Sequence, residues 1–586
     1  MSDRCERTFG PAAKRIELSP GLKTAARGLR QAYIDYVGQL NRSSRAGDWW
    51  SSTLAEKNPY VSDTFFFACC VLACREIVAQ GRRDGAIVFV AESPALRRAL
   101  ARNLAVATAQ VRVVEGRAAR LWAAAGAIAR MVLRKANWLG LNLARVFRAR
   151  YRLRLHRTPA IIEAIRSGTP VCLIHTWVDE RAYDPATGRF WDQDFGDVRR
   201  HLEAKGKRVF TVPNILWAVP FPRVLGYIAS TPNAYVVPEA FLRLRDVVAV
   251  LVRTAWRVPR QRSYPALGGV DISDLIHADE WNDWLSPRAA VHLLVARWVR
   301  RWKQSGLEIE RFVYTFENHS WERRVCHAFR RLYPEARLLA HQPNGLPLFL
   351  MNYFIAEAER DVVPLPDLII TNGCYAARIL KGSGYDADRV VCGGGLRQRY
   401  LQEWFDGLPP RVHGRPGAKR IVVTPSIGYG ETVELLRKAI DAFAAATDLS
   451  VVIKCHPSMP FQKIAPALGG VALPPHITVS KEPLRVLLRD ADVLVYNGGA
   501  FPSVEALAAG VAVVHVQPEF ALDLDPLDAC PELGLDARSP EEILACVRRR
   551  LSEGPEKAGE PRERAHRVLR ELIGKVDEDT YELFCR

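Results

Sequence analysis

At 586 residues the chain is longer than a single hydrophobic core supports, so two or more domains are expected. Hydrophobic residues make up 48% and charged residues 25%, the proportions of a folded chain, which excludes a disordered or fibrous one. The formal net charge of +18 calls for an acidic partner or surface. With no nucleic-acid-binding motif in the sequence, an anionic membrane surface is the stronger candidate and nucleic acid is not expected.

The opening Met1-Ser2-Asp3-Arg4-Cys5-Glu6-Arg7 is too charged for a secretory signal peptide, and no uninterrupted run of 18 apolar residues predicts a spanning helix. The expectation is a cytoplasmic protein, associated at most with the cytoplasmic face of the inner membrane. Twelve cysteines form no C-x-x-C pair, and most sit in apolar runs where a thiol acts as a small hydrophobe. A reducing compartment is expected, with neither a zinc site nor a disulfide framework.

In chain order, Asp48-Trp49-Trp50-Ser51-Ser52 leads through Glu56-Lys57-Asn58-Pro59 to an apolar helix from about Asp63 to Gln80. The continuously apolar Ala86–Ala91 predicts a buried parallel strand. Residues 95–167 are rich in Ala, Leu and Arg with almost no Gly or Pro, and predict a helical insertion. Within it, Arg130 to Arg157 carries nine Lys or Arg and no Asp or Glu, interleaved with Trp138, Leu139, Leu141, Leu143, Val146, Phe147 and Tyr151. That pattern fits a helix lying on anionic lipid, and equally an ordinary surface helix of an arginine-rich protein.

Strands are predicted at Pro170–His175, Arg208–Val212 and Phe312–Phe316, with a polar loop over Thr176–Asp197. The composition shifts over residues 345–366, which places a domain boundary there: an N-terminal domain 1–350 and a C-terminal domain 366–586. Seven strands follow, at Leu368–Thr371, Arg389–Cys392, Arg420–Thr424, Leu449–Lys454, His476–Val479, Val493–Asn497 and Val511–Val516. Strands alternating with helices in both halves predict two Rossmann-like, doubly wound α/β domains facing a cleft.

Five turns of the second half point at one sheet edge, where ligands of open α/β sheets collect. Gly393-Gly394-Gly395-Leu396-Arg397 pairs glycines, which let backbone approach a ligand, with a guanidinium fork. Thr424-Pro425-Ser426-Ile427-Gly428 precedes a helix near Glu431, and Lys454-Cys455-His456-Pro457 and Lys481-Glu482-Pro483 follow two further strands. The fifth turn runs from Asn497 to Ser503, where Ser503 reads as the N-cap of a helix over Val504–Ala509 that would hold a phosphate. Glu505 in its first turn suits a ribose hydroxyl. The donor-binding set is therefore Arg397, Ser426, Lys454, His456, Ser503 and Glu505.

Lys454-x-His456-Pro457, Asp492 and Ser503 resemble the donor site of GT-B enzymes of bacterial surface glycans. Among these are sialyltransferases with a His-Pro motif, Kdo transferases and CDP-glycerol glycerophosphotransferases. The resemblance implies that the His and Ser contact the phosphate of a CMP- or CDP-type donor. Pro502 stands where double-serine versions carry a second serine. Trp50-Ser51-Ser52-Thr53-Leu54-Ala55-Glu56-Lys57-Asn58, Thr176-Trp177-Val178-Asp179 and Tyr314-Thr315-Phe316-Glu317-Asn318-His319-Ser320-Trp321-Glu322 resemble a family of surface carbohydrate (O-antigen type) biosynthesis proteins.

The resemblances imply a glycosyltransferase that moves a sugar, such as a nonulosonic acid, from a CMP-type nucleotide donor to a glycan or lipid-linked acceptor. The alternatives are a CDP-polyol phosphate transferase and a catalytically inactive GT-B scaffold. An inverting transfer needs a base beside the acceptor hydroxyl. Glu317 at a strand end is the first candidate, His341 the second by its likeness to an acceptor-side histidine of the glycerophosphotransferases, and Asp179 the third. Asp192-Gln193-Asp194 and Asp523-Leu524-Asp525 mimic an Asp-x-Asp metal motif but lie in loops and read as incidental. Neither metal nor cofactor is expected, because basic groups at the phosphate site can neutralise the leaving group.

Overall fold

The computed structural model describes residues 16–44, 47–80, 87–105, 117–155, 159–178, 182–183, 187, 190–215, 220–230, 235–402, 418–469, 472–498, 501–528, 530, 533–553 and 568–586. Two six-stranded sheets organise the chain. The first, in the order β2-β1-β3-β4-β5-β6, comprises β1 (Val171–Val178), β2 (Val209–Ile215), β3 (Ile309–Thr315), β4 (Arg337–Gln342), β5 (Leu368–Thr371) and β6 (Val390–Cys392). The second, in the order β12-β11-β10-β7-β8-β9, comprises β7 (Lys419–Thr424), β8 (Leu449–Ile453), β9 (Ile477–Val479), β10 (Val493–Tyr496), β11 (Ala512–Val516) and β12 (Gly534–Ala537). All strand pairs in both sheets are parallel. Helices cover both faces, which is why runs such as Val171–Ile174 and Val493–Tyr496 are apolar at successive positions and buried throughout. This is the expected architecture of two doubly wound α/β domains.

Strand order reverses between β1 and β3 in the first sheet and between β7 and β10 in the second. At such a switch point the flanking connections leave in opposite directions and open a crevice at the carboxyl ends. The two crevices face each other. A Cβ on Gly345, after β4, would lie 3.3 Å from Pro526 and 3.4 Å from Phe501, so side chains of the second domain pack against the Gly345 backbone. Arg27 of the N-terminal helix Ser19–Ser43 also pairs with Asp528 at 3.2 Å.

Four expectations need correction. β5 and β6 belong to the first sheet, so the first domain's sheet runs to Cys392 and the second begins at Lys419. The Gly-Leu-Pro stretch after residue 344 is the loop leaving β4, not an interdomain linker. The end of the chain also returns to the first domain. Val576, Tyr581, Leu583 and Phe584 pack with Cys172, Ile174 and Val313, and Arg311 donates to the Phe584 carbonyl at 2.6 Å. Residues 87–91 form no strand, and Val88 and Val90 are exposed; Ala86 lies outside the described residues. An apolar run becomes a strand only where a sheet edge is there to pair with it.

The fourth correction concerns the cysteines. Cys374 and Cys392 form a disulfide although 18 residues separate them in sequence. Cys392 ends β6 opposite Thr371 of β5, and Cys374 opens the helix Cys374–Lys381 that follows β5, which brings the two Cα atoms to 4.8 Å. Parallel pairing of neighbouring strands makes this contact, and no local spacing announces it. The expected helical insertion is present as the helices Pro94–Ala105, Arg117–Leu155 and Pro159–Ser167.

Candidate functional site

The site grows from the end of β3. Glu317 and Asn318 leave the strand in a tight turn, with Asn318 at φ +53°, a conformation Asn tolerates better than most residues. Their backbone amides donate to the Glu322 carboxylate at 2.8–3.1 Å, which fixes the turn against the start of the helix Ser320–Leu332. Burial pushes the Glu322 carboxyl up to about 8, against the pull of His319.

This turn aims Glu317 into the crevice and sets His319 beside it. The Glu317 carboxylate meets His319 Nε2 at 2.8 Å and accepts from Asn344 Nδ2 at 2.5 Å. The other ring nitrogen, His319 Nδ1, meets Glu56 Oε1 at 2.9 Å. Glu56 is itself buried, pairs with Arg288, and accepts from the Ser320 amide at 2.9 Å. The result is a carboxylate–imidazole–carboxylate chain whose inner end is anchored and whose outer end, Glu317, lies at the crevice. Burial alone would raise the Glu317 carboxyl, but the bond and charge of His319, then Arg397 and Asn344, hold it below the usual range. His319 experiences the converse: burial disfavours its charge, yet Glu56 and Glu317 raise it well above 6.5.

The coupling has a sign in stability. A carboxylate with a depressed pKa stabilises the fold fully above the ordinary 4.5 and loses that as pH falls through its folded value. An imidazole with a raised pKa stabilises fully below the ordinary 6.5 and loses that as pH rises through its folded value. Both contributions are therefore complete between pH 4.5 and 6.5. In urea titrations the wild-type midpoint should decline on the alkaline side, and His319→Gln should flatten that decline. An unchanged alkaline slope in the variant would contradict the assignment.

Arg397 links the two halves. It follows β6, with Nε 4.0 Å from Asp194 Oδ1 and Nη1 3.5 Å from Asn344 Oδ1, and its charge also acts on Glu317 and on Glu505 of the second domain. Asp192 and Asp194 lie beside the end of β1, with Asp194 within reach of Arg397. Asp192 accepts from the Thr176 hydroxyl at 2.8 Å and from the Asp194 and Phe195 amides at 3.0 Å, while the Trp177 amide lies 3.4 Å from Asp194. Burial and then Asp194 push Asp192 up to about 7. Trp177 closes this wall, its indole N–H donating to Thr315 Oγ1 at 3.2 Å. The other Asp-x-Asp pair is engaged differently, with Asp523 and Asp525 at 3.2 and 3.8 Å from His515.

The facing wall comes from the second domain. At its switch point the Ser426 amide donates to Asn497 Oδ1 at 2.8 Å, and the Ser426 hydroxyl bonds the Glu431 carboxylate. Glu431 acts electrostatically on Tyr60 of the first domain. Lys454 Nζ donates to the Lys481 carbonyl at 3.2 Å, which ties together two of the predicted turns. His456 is exposed, with Nδ1 2.6 Å from Ser458 Oγ. Burial raises Glu505 to about 7 against the bond from Tyr400 and the charge of Arg397.

The charge of Arg397 thus reaches both Glu317 and Glu505, and Ser426, Lys454 and His456 follow the strands β7 and β8 of the second domain. The structure does not place Ser503 as expected. The helix Pro502–Ala508 is seven residues long with Phe501 at its cap, and Ser503 is buried inside the first turn with its hydroxyl against the Tyr496 phenol. His341 is not at the crevice either. It is buried in β4 between Phe195 and Phe584, donates from Nε2 to the Gly394 carbonyl at 3.0 Å, and burial lowers it to about 4. The neutral ring is held by the returning C-terminal segment. Asp179 lies outside the described residues.

The glycines before Arg397 also have a different reason from the one expected. A Cβ on Gly394 would lie 2.5 Å from the Lys575 carbonyl, and the Gly395 amide donates to the Gly574 carbonyl at 2.9 Å. They admit the chain's own C-terminal segment, which in turn sets Arg397. Sequence reasoning missed Glu56, His319, Asn344 and Asp194 as site residues. A Glu-x-His pair at a strand end was the one local signal for His319, and Glu56, 261 residues before Glu317, gave none.

Neither a protein-family model nor a curated protein matches the sequence, so the surface-carbohydrate resemblance gains no support from them. Solved structures with a similar overall arrangement include the calicheamicin glycosyltransferase CalG4, 16% identical with a TM-score of 0.40 over 71% of this chain and 98% of that one. The glycosyltransferase SnogD from Streptomyces nogalater is 15% identical, with a TM-score of 0.40 and the same coverages. A UDP-GlcNAc 2-epimerase from Neisseria meningitidis is 10% identical, with a TM-score of 0.39 and again 71% and 98% covered. At such identities and TM-scores these neighbours say nothing about substrate, which has to be read from this chain's own residues.

Proposed function

We propose that the chain is a glycosyltransferase of bacterial surface polysaccharide assembly, using a CMP-type nucleotide-sugar donor and a glycan or lipid-linked acceptor. The observation that carries this reading is the position of Arg397 between the Glu317–Asn344–Asp194 wall of one domain and Glu505 of the other. A cation flanked by a held carboxylate, where two switch-point crevices meet, suits a reaction that releases a phosphate and takes up a proton.

In this reading the donor phosphate lies toward Lys454, His456 and Arg397, and Glu505 takes a ribose hydroxyl. The acceptor hydroxyl sits against Glu317. Its oxygen forms the new bond to the anomeric carbon, its proton passes to the Glu317 carboxylate, and the bond to the phosphate oxygen breaks with its electron pair leaving on the nucleotide. His319, charged and anchored by Glu56, orients Glu317 and keeps it ionised. The nonulosonic acid as donor sugar rests on the Lys454-x-His456-Pro457 turn.

Calorimetry with CMP, CDP and UDP tests the donor side. CMP or CDP should bind, and Arg397→Ala should weaken binding by about 10- to 100-fold, the worth of a charge-assisted hydrogen bond to phosphate. No binding of any of the three, or unchanged binding in the variant, would refute the reading.

A further inference from the structure

The long helix Arg117–Leu155 packs on the first domain along one stripe only. Trp138, Asn142, Val146 and Ala149 are buried at helical spacing, and Trp138 and Val146 cluster with Leu242, Val247 and Val250 of the adjoining segments. Arg145 is drawn into this packing, 3.4 Å from the Ile215 carbonyl, 3.9 Å from Glu239 and over the Phe221 ring, so it serves the fold.

The rest of the helix surface is different. Leu133, Phe147 and Tyr151 stand 69%, 64% and 63% exposed, at positions that project opposite the buried stripe. Arg130, Arg134 and Arg148 flank them and are exposed. Toward the helix's first half, Lys135 Nζ sits 4.9 Å over the Trp284 ring, which meets Trp281 edge-on at 5.5 Å and donates to the Ala255 carbonyl at 3.0 Å. The next residue, Trp256, is 82% exposed and ends a stripe of exposed Leu244, Val248 and Val252 on the helix Leu244–Ala255.

Exposed apolar side chains aligned along one helix face mark an interaction surface. Charge identifies the partner. The long helix carries ten Lys or Arg and no acidic residue, so a second copy meeting it face to face would be repelled. A nucleic acid would satisfy the cations but leave the aliphatic side chains without a function. Aliphatic and aromatic side chains along one helix face, with arginines alongside, match the interface of an anionic bilayer. There rings and aliphatic chains enter the acyl boundary and cations meet the headgroups. We propose that the exposed face of the helix Arg117–Leu155, with Leu133, Phe147 and Tyr151 and the flanking Arg130, Arg134 and Arg148, docks the protein on anionic lipid bilayers. The docking is independent of the transfer reaction.

Vesicle flotation tests it with the full chain. Wild type should float with phosphatidylcholine vesicles containing about 30% phosphatidylglycerol and stay behind with phosphatidylcholine alone. The variant Leu133→Ser/Phe147→Ser/Tyr151→Ser and the variant Arg130→Glu/Arg134→Glu/Arg148→Glu should each lower the floated fraction at least about tenfold. Both should keep the wild-type thermal midpoint, since all six side chains are exposed. Phe520→Ser, an exposed apolar residue of the second domain, should float like wild type. Failure of wild type to float, equal flotation on neutral vesicles, or equal flotation of either triple variant overturns the proposal. So does a wild-type dimer in light scattering that the serine variant turns into a monomer while no vesicles are bound, which would assign the face to a second copy.

Discussion

The Glu317→Gln substitution lowers the rate of glycosyl transfer by about 10²- to 10⁴-fold, the contribution of a positioned general base. Nucleotide binding in calorimetry stays near the wild-type value, because Arg397 and the second-domain turns are untouched. The amide keeps the size of the side chain and a hydrogen bond with Asn344, but it cannot take the acceptor proton. A variant that retains more than about a tenth of the wild-type rate would remove Glu317 from the role of base. Loss of nucleotide binding along with rate would make Glu317 a donor-binding residue instead.

The second large effect is on stability. Lys57→Met costs about 3–5 kcal/mol in urea unfolding, because it leaves a buried charge without its partner. The Lys57 and Glu359 side chains are both 0% exposed and form an ion pair, and Glu359 also accepts from the Ala356 amide at 2.9 Å. Burial lowers the Lys57 ammonium pKa, and Glu359 opposes that shift. Lys57 already adopts a positive φ of 59°, so methionine inherits the same backbone strain and the measured loss reports the charge. The double variant Lys57→Met/Glu359→Gln should recover much of the loss, since removing both charges removes the uncompensated one. A single variant within about 1 kcal/mol of wild type would show that water reaches this pair.

Lys57 also shows how function and stability share one segment. Glu56, the residue before it, anchors His319, and Asn58, the residue after it, bonds Glu56 at 3.1 Å. The Trp50–Asn58 stretch resembled a surface-carbohydrate family on its residues alone, yet nothing local showed that it reaches across to the Glu317 turn. Undocking this segment should lower activity as well as stability, through the loss of the Glu56–His319 contact.

The parallel strands were legible because strands buried on both faces read as continuous apolar runs. Of the twelve strands among the described residues, ten were anticipated within a few residues; β4 and β12 were missed. The apolar run of β4 is only Leu338–Ala340, flanked by Arg337 and by His341 and Gln342, and β12 is a short edge strand, Gly-Leu-Asp-Ala. The domain boundary was misplaced for a different reason. Whether β5 and β6 extend the first sheet or begin the second depends on their partners, and both alternatives leave the same pattern along the chain.

By itself, the sequence determined the alternation of strand and helix, the strand-end turns and the basic character of the long helix, because each is a property of consecutive residues. It also pointed to Glu317 and Arg397 as polar groups at strand ends. Only the tertiary structure decided that Gly394 and Gly395 admit the C-terminal segment, that His341 and Ser503 are packed away, that Cys374 meets Cys392, and that Glu56 completes a chain through His319 to Glu317. Each of these depends on how strands and helices pack, and most join segments far apart in sequence. Strand order, burial and the closing of the two crevices create them, and those are set by how the sheets assemble rather than by any local spacing.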